Sequence, residues 1–415
     1  MKTAPETTQL YRRGLGLKKE VEGQLATDFS STIIQYFKQN DFQMQMGDTT
    51  ILMAREFGFC YGVDRAVDYA YQSRRRFPDK RIFLTGELIH NPHVNLKMLK
   101  MGVEFLTGRY AGDNSYAVVE SGDVVILPAF GVTIQVLKML KETGCILVDT
   151  TCGSVLNVWK RVEKYAREGI TSIIHGKYQH EETQATSSQT MKYDDAHYLV
   201  VLDMQEAEMV CDFIRGDFAE EAFLAHFKEA ISPGFSPAKH LQRVGVANQT
   251  TMLSTESIAI ANKIKAVMEQ KYGVEEGPQH FSNFDTICSA TQERQDAVID
   301  LFDENELDLM LVIGGFNSSN TTHLAELAGE KTSAYHIDDA ACLRSERELL
   351  HKPVDQAEPI CAENWLKKGP LKVGLTAGAS TPNSKIGEVV ARFAELQGQD
   401  LGPILDLQEA GNDNP

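Results

Sequence analysis

The sequence predicts an α/β protein built on parallel sheets, and three observations predict it. From about Thr50 onward, short apolar runs alternate with amphipathic stretches. Each run ends in a polar turn that leads into a helical pattern. Three of those turns carry a cysteine in the same place: GFCYGVDRAV (Cys60), DTTCGSVLNV (Cys152) and DTICSATQER (Cys288). The repetition marks three similar α/β units.

The strands are the apolar runs ILMA, RIFL, DVVILPAF, CILVDT, SIIHG, YLVVL, RVGVAN, LMLVIGG and LKVGLTA. Their lack of strict alternation is what burial on both faces produces. Between them, VDRAVDYAYQSRRRF and SVLNVWKRVEKYAREG have helical periodicity. The expected division is an N-terminal extension at 1–48, domains at 49–152, 153–284 and 285–395, and a tail at 396–415. Within the extension, 28–38 predicts a short helix.

Composition excludes several classes. At 415 residues the chain exceeds one hydrophobic core. Hydrophobic residues at 42% and charged residues at 24% are ordinary globular values. No run approaches the roughly 20 apolar residues of a membrane span. The N-terminus has neither a secretory core nor an acid-poor transit pattern. The expectation is a soluble, cytoplasmic protein with no membrane partner. A formal net charge of −17 argues against nucleic-acid binding. Seven widely spaced cysteines disfavour a disulfide framework.

Ligands of open parallel sheets bind beyond the carboxyl ends of the strands, and the polar turns fall there. Cys60, Cys152 and Cys288 are either buried thiols or soft ligands converging on one metal centre. With three thiolates, a cubane cluster would keep one iron open as a Lewis acid. Cys145, Cys211, Cys342 and Cys361 are expected to be buried or incidental thiols. His90 (ELIHNP) and His180 (QHEET) sit at strand ends, as structural or as functional histidines. Glu182 follows His180 and is a group able to supply protons. The turns Asn317-Ser318-Ser319-Asn320-Thr321-Thr322, Gly378-Ala379-Ser380-Thr381 and Gln249-Thr250-Thr251 are helix N-caps or, together, a cradle for phosphate oxygens. No P-loop and no strand-linked GxGxxG is present, which disfavours an NTPase and a nicotinamide dehydrogenase.

Taken together, GFCYGVDRAV, ELIHNP, DTTC, QHEET, QTT, DTICSATQERQ, GGFNSSNTTHLAEL and GLTAGAST resemble the 4-hydroxy-3-methylbut-2-enyl diphosphate reductase (LytB) family, in its cyanobacterial and plant branch. The likeness runs from about residue 50 to about 395. It implies a pseudo-threefold cloverleaf of three α/β domains around a central [4Fe–4S] cluster held by Cys60, Cys152 and Cys288. It implies that His90, His180, Ser318, Ser319, Asn320 and Ser380 bind a diphosphate. Thr250 lies near the substrate hydroxyl, and Glu182 is the proton donor. The implied activity is reductive dehydroxylation of the allylic diphosphate to isopentenyl and dimethylallyl diphosphate, the last step of non-mevalonate isoprenoid synthesis. Electrons would come from ferredoxin or flavodoxin. Another three-cysteine cluster lyase, of hydratase or quinolinate-synthase type, and a non-enzymatic iron–sulfur sensor are the alternatives. Phe130 stands where many bacterial members have a diphosphate-binding His. Two stretches, about 210–241 and 341–368, are extra length without assigned chemistry.

Overall fold

The computed structural model describes residues 9–283 and 286–402. Asp285 of the third cysteine motif, the first eight residues of the extension and most of the 396–415 tail lie outside them.

Among the described residues the strands are β1 (Leu10–Tyr11), β2 (Gln43–Met46), β3 (Thr49–Met53), β4 (Ile82–Leu84), β5 (Val103–Phe105), β6 (Val124–Leu127), β7 (Ile146–Asp149), β8 (Thr171–His175), β9 (Tyr198–Val201), β10 (Val244–Asn248), β11 (Phe281–Asn283), β12 (Leu309–Ile313), β13 (Ser333–Ile337), β14 (Glu348–His351), β15 (Ile360–Glu363) and β16 (Leu371–Ala377). Every predicted run is a strand. The chain forms two compact units, one drawn from 9–14, 77–88 and 102–288, the other from 15–76, 89–101 and 289–402.

The first unit holds two parallel sheets, ordered β1-β7-β6-β4-β5 and β11-β10-β8-β9. All five residues of β8 and of β10 are buried, because helices cover both faces. Val158, Ile173, Leu199, Val246 and Ile264 pack together in that core. The stretch 210–241 joins the same core through Phe223, Phe227 and Phe235. It is therefore folded structure, built around the helix Glu220–Phe227.

The second unit holds one sheet, ordered β13-β12-β16-β3-β2, parallel except for the β2–β3 pair. Phe37, Met53, Val373, Leu375 and Phe393 form its core. Sheet membership does not follow chain order. β3, at the start of the segment expected as a first domain, pairs with β16 from near the other end. The stretch 341–368 contributes the antiparallel hairpin β14–β15, whose Leu349 and nearby Trp365 are buried.

The extension differs from expectation. Helices run over Lys18–Phe29 and Thr32–Gln39, and the chain is extended at Ser30 and Ser31 between them. The break has a packing cause. A Cβ on Gly387 would lie 2.1 Å from the Ser31 hydroxyl, so the Ser31 side chain is seated directly on this glycine. Cys145, Cys211 and Cys342 are buried as expected, whereas Cys361 is exposed on β15.

Candidate active site

Strand order determines where the polar turns meet. In each sheet, the crevice opens where successive connections leave a strand in opposite directions. From β8 the chain goes to β9 on one side, while β10 lies on the other. The turns after β8 and β10 therefore face each other. They carry His180, Glu182 and Thr250.

Glu182 is 2% exposed. Its two carboxylate oxygens accept from the Thr250 N–H at 2.6 Å and from the Thr250 hydroxyl at 2.9 Å. The helix Glu181–Ser188 is capped by His180, whose Nδ1 accepts the Glu182 N–H at 3.1 Å. One side chain thus fixes the histidine ring and the start of the glutamate helix together. Phe130 packs edge-on against the His180 ring at 6.3 Å. It gives that ring an apolar wall where a histidine would offer a donor.

A residue that the sequence placed only within a polar turn aligns this pair. Gln249 is buried, and its Oε1 accepts from the Lys177 N–H and the Thr183 hydroxyl, each at 3.1 Å. Its Nε2 donates to the Thr251 hydroxyl at 2.7 Å. One amide therefore ties the turn after β8 to the turn after β10. Its presence in the QTT motif was the available signal.

Cys152 caps the helix Gly153–Arg167, and its N–H donates to the Ala129 carbonyl at 2.7 Å. Burial pushes its thiol up; the Ser154 N–H at the helix head pulls it down, and the sulfur of Cys288 pushes it up again. The turn preceding Cys288 is held by Thr286, which pairs with the side chain of Asn248 at the end of β10.

In the second unit the crevice lies between β12 and β16, since β12 is flanked by β13 on one side and β16 on the other. The turns after these strands carry Ser318, Ser319, Asn320 and Ser380, all buried. Asn320 Oδ1 accepts the Ala379 N–H at 2.8 Å and joins the turns. Ser318 caps the helix Ser319–Gly329 through the Thr321 N–H at 3.3 Å. The Ser380 hydroxyl donates to the His90 carbonyl at 3.1 Å, and Asn317 Nδ2 lies 3.4 Å from His90 Nδ1. Asn320 Nδ2 is buried without a hydrogen-bond partner. An amide donor in that state suits an oxyanion. Cys60 belongs here too: its N–H donates to the Ala379 carbonyl at 3.2 Å. Buried Arg294 fixes the same turn, donating through Nη2 to the Gly58 carbonyl at 2.7 Å.

The three cysteines occupy equivalent places, each immediately before or capping a helix: Tyr61–Arg76, Gly153–Arg167 and Ser289–Glu304. None is in a disulfide. His180, Glu182 and Thr250 come together in the first unit, and His90 with the Ser318–Asn320 and Ser380 turns in the second.

The sequence profile described as LytB protein matches residues 51–394. The chain belongs to the LytB family. Two LytB relatives, from a Picosynechococcus species and from Crocosphaera subtropica, are each named 4-hydroxy-3-methylbut-2-enyl diphosphate reductase. The first is 49% identical over 387 residues, covering 93% of this chain and 94% of the relative. The second is 47% identical over 391 residues, covering 94% and 95%. A solved structure, the E-1-hydroxy-2-methyl-but-2-enyl-4-diphosphate reductase from Plasmodium falciparum, has the same fold. It is 21% identical, with a TM-score of 0.60, over 82% of this chain and 86% of that one. Among the described residues, no helix is long and apolar enough to cross a membrane.

Proposed function

We propose that this LytB protein reduces 4-hydroxy-3-methylbut-2-enyl diphosphate to isopentenyl and dimethylallyl diphosphate. The observation that carries the proposal is the buried Glu182–Thr250 pair, a carboxyl group with a hydroxyl relay at a strand-end crevice. The names of relatives sharing about half of its residues support it.

The reaction breaks a carbon–oxygen bond. It consumes two electrons and two protons, one proton for the departing oxygen as water and one for an end of the allyl unit. The chain carries no flavin or nicotinamide fingerprint. Its thiols suit an iron–sulfur cluster. Partial burial pushes the half-buried Cys152 thiol up, a state in which its proton is held until a soft metal replaces it. The motifs name Cys60, Cys152 and Cys288 as the ligands of a [4Fe–4S] cluster. When bound, such a group supplies electrons singly and a Lewis-acidic iron.

The protein's own residues do the remaining work. Ser318, Ser319, Asn320 and Ser380, with His90 and His180, hold the diphosphate and orient the allyl group. Glu182 holds a proton at its carboxyl oxygens, and Thr250 passes it through its hydroxyl. Burial of both excludes water that would compete for the same oxygens. An external carrier, ferredoxin or flavodoxin, supplies the electrons.

The test is anaerobic. The iron-replete protein is reduced with dithionite and a viologen, and products are measured from the hydroxy-allyl diphosphate. Turnover by the wild type, lowered about a hundredfold or more in Glu182→Gln at unchanged iron content, is the expected result. An iron-replete wild type that forms neither product overturns the proposal.

A further inference from the structure

One surface of the first unit is at odds with the charge of the whole. Between residues 133 and 167 the chain carries six cations and three carboxylates, although its net charge is −17. The helices Ile134–Thr143 and Gly153–Arg167 present this basic stretch beside a groove of about 950 Å³. Leu137, Leu156 and Trp159 line its apolar part, and its charged lining is Arg12, Lys138, Lys141, Lys160 and Lys192 against Glu142, Asp149 and Glu163. All five cations are exposed. Arg12 is paired with Asp149 at 3.1 Å, and Lys192 with Glu163.

The groove adjoins the backbone that carries Cys152. Thr151 lines it, and Cys152 is the next residue. Val132 lines it as well, three residues beyond Ala129, whose carbonyl accepts the Cys152 N–H. Between them, Gly131 lies against the Trp159 ring so closely that a Cβ would sit 2.4 Å from it. The groove wall, the Ala129–Val132 turn and the cysteine turn are therefore one packed body.

We propose that this groove is the docking surface for an acidic one-electron carrier protein. An apolar centre with a charged rim is the usual anatomy of a transient interface. A basic rim on an acidic protein steers an acidic partner to one place and repels it elsewhere. Two visits by the reduced carrier, each oxidising it by one electron, supply the two electrons of carbon–oxygen cleavage. The proposal rests on the reductase reading for its purpose, but docking itself is measured separately.

The experiment uses the cluster-loaded protein and its Lys138→Glu/Lys160→Glu variant. The probe is an acidic [2Fe–2S] ferredoxin. The variant's kcat/KM for reduced ferredoxin is expected to fall about tenfold or more at low salt, with the viologen-driven rate unchanged. Calorimetric titration with oxidised ferredoxin should show the same loss of affinity, and the wild-type affinity should fall as salt is raised. Unchanged affinity and unchanged ferredoxin-driven turnover overturn the proposal. So does a variant whose only change is in self-association, which makes the groove a contact between copies. If the wild type binds ferredoxin through these lysines yet gives no product with viologen, the docking surface stands and the reductase reading falls.

Discussion

His336 shows how a residue far from any reaction can set the shape of the candidate site. Its Nε2 donates to the Gly314 carbonyl at 2.9 Å, and its ring meets Phe316 edge-on at 5.4 Å. It therefore braces the start of the GGFNSSN turn. Burial lowers its pKa to about 4, against roughly 6.5 when unfolded. Between those values the unfolded chain binds more protons. The stabilisation is complete above about pH 6.5 and is lost as pH falls toward 4. The full effect is about 3 kcal/mol. Urea unfolding midpoints should drop between pH 7 and pH 5 in the wild type. His336→Gln should start lower at pH 7 and change less. Nothing in the sequence announced this histidine, because it lies inside an ordinary-looking strand. The places of Ser318, Asn320 and Ser380 in the strand-end turns were easier to anticipate, since hydroxyl and amide residues crowd those turns.

At the scale of elements, the turn after β6 depends on one glycine. Gly131 has φ +80°, and a Cβ there would meet the Trp159 ring at 2.4 Å. Gly131→Ala should cost about 1–3 kcal/mol through the left-handed backbone and the clash. A thermal melt should show a fall of several degrees. The strands were legible because burial on both faces leaves continuous apolar runs, as in β8, β10 and β12. β1 and β11 were not, being two and three residues long at sheet edges. β14 and β15 were hidden by polarity, with exposed Glu348 and Glu363. Glu182 and Thr250 were each recognisable in their motifs, but their pairing was not. It arises because β10 lies beside β8 although β9 comes between them in the chain.

At the scale of the molecule, chain order misleads most. Division into successive domains assigns β3 to the first, yet it lies beside β16 in the sheet of the last. A period of apolar runs says where strands are; it does not say which sheet each joins. β16 is hydrogen-bonded to β12 on one side and to β3 on the other. A chain ending at residue 370 loses this central strand and leaves both neighbours with unpaired backbone. Such a truncation should give a protein whose second unit shows no cooperative melt, while substitutions on exposed helix faces leave it intact.

The same strand bears on how the protein is made. The turn of Cys60 emerges early from the ribosome, but its N–H is fixed by Ala379, just beyond β16. Contacts this distant in sequence form late. During synthesis the backbone around Cys60 therefore stays unfixed until the segment that carries Ala379 has been made.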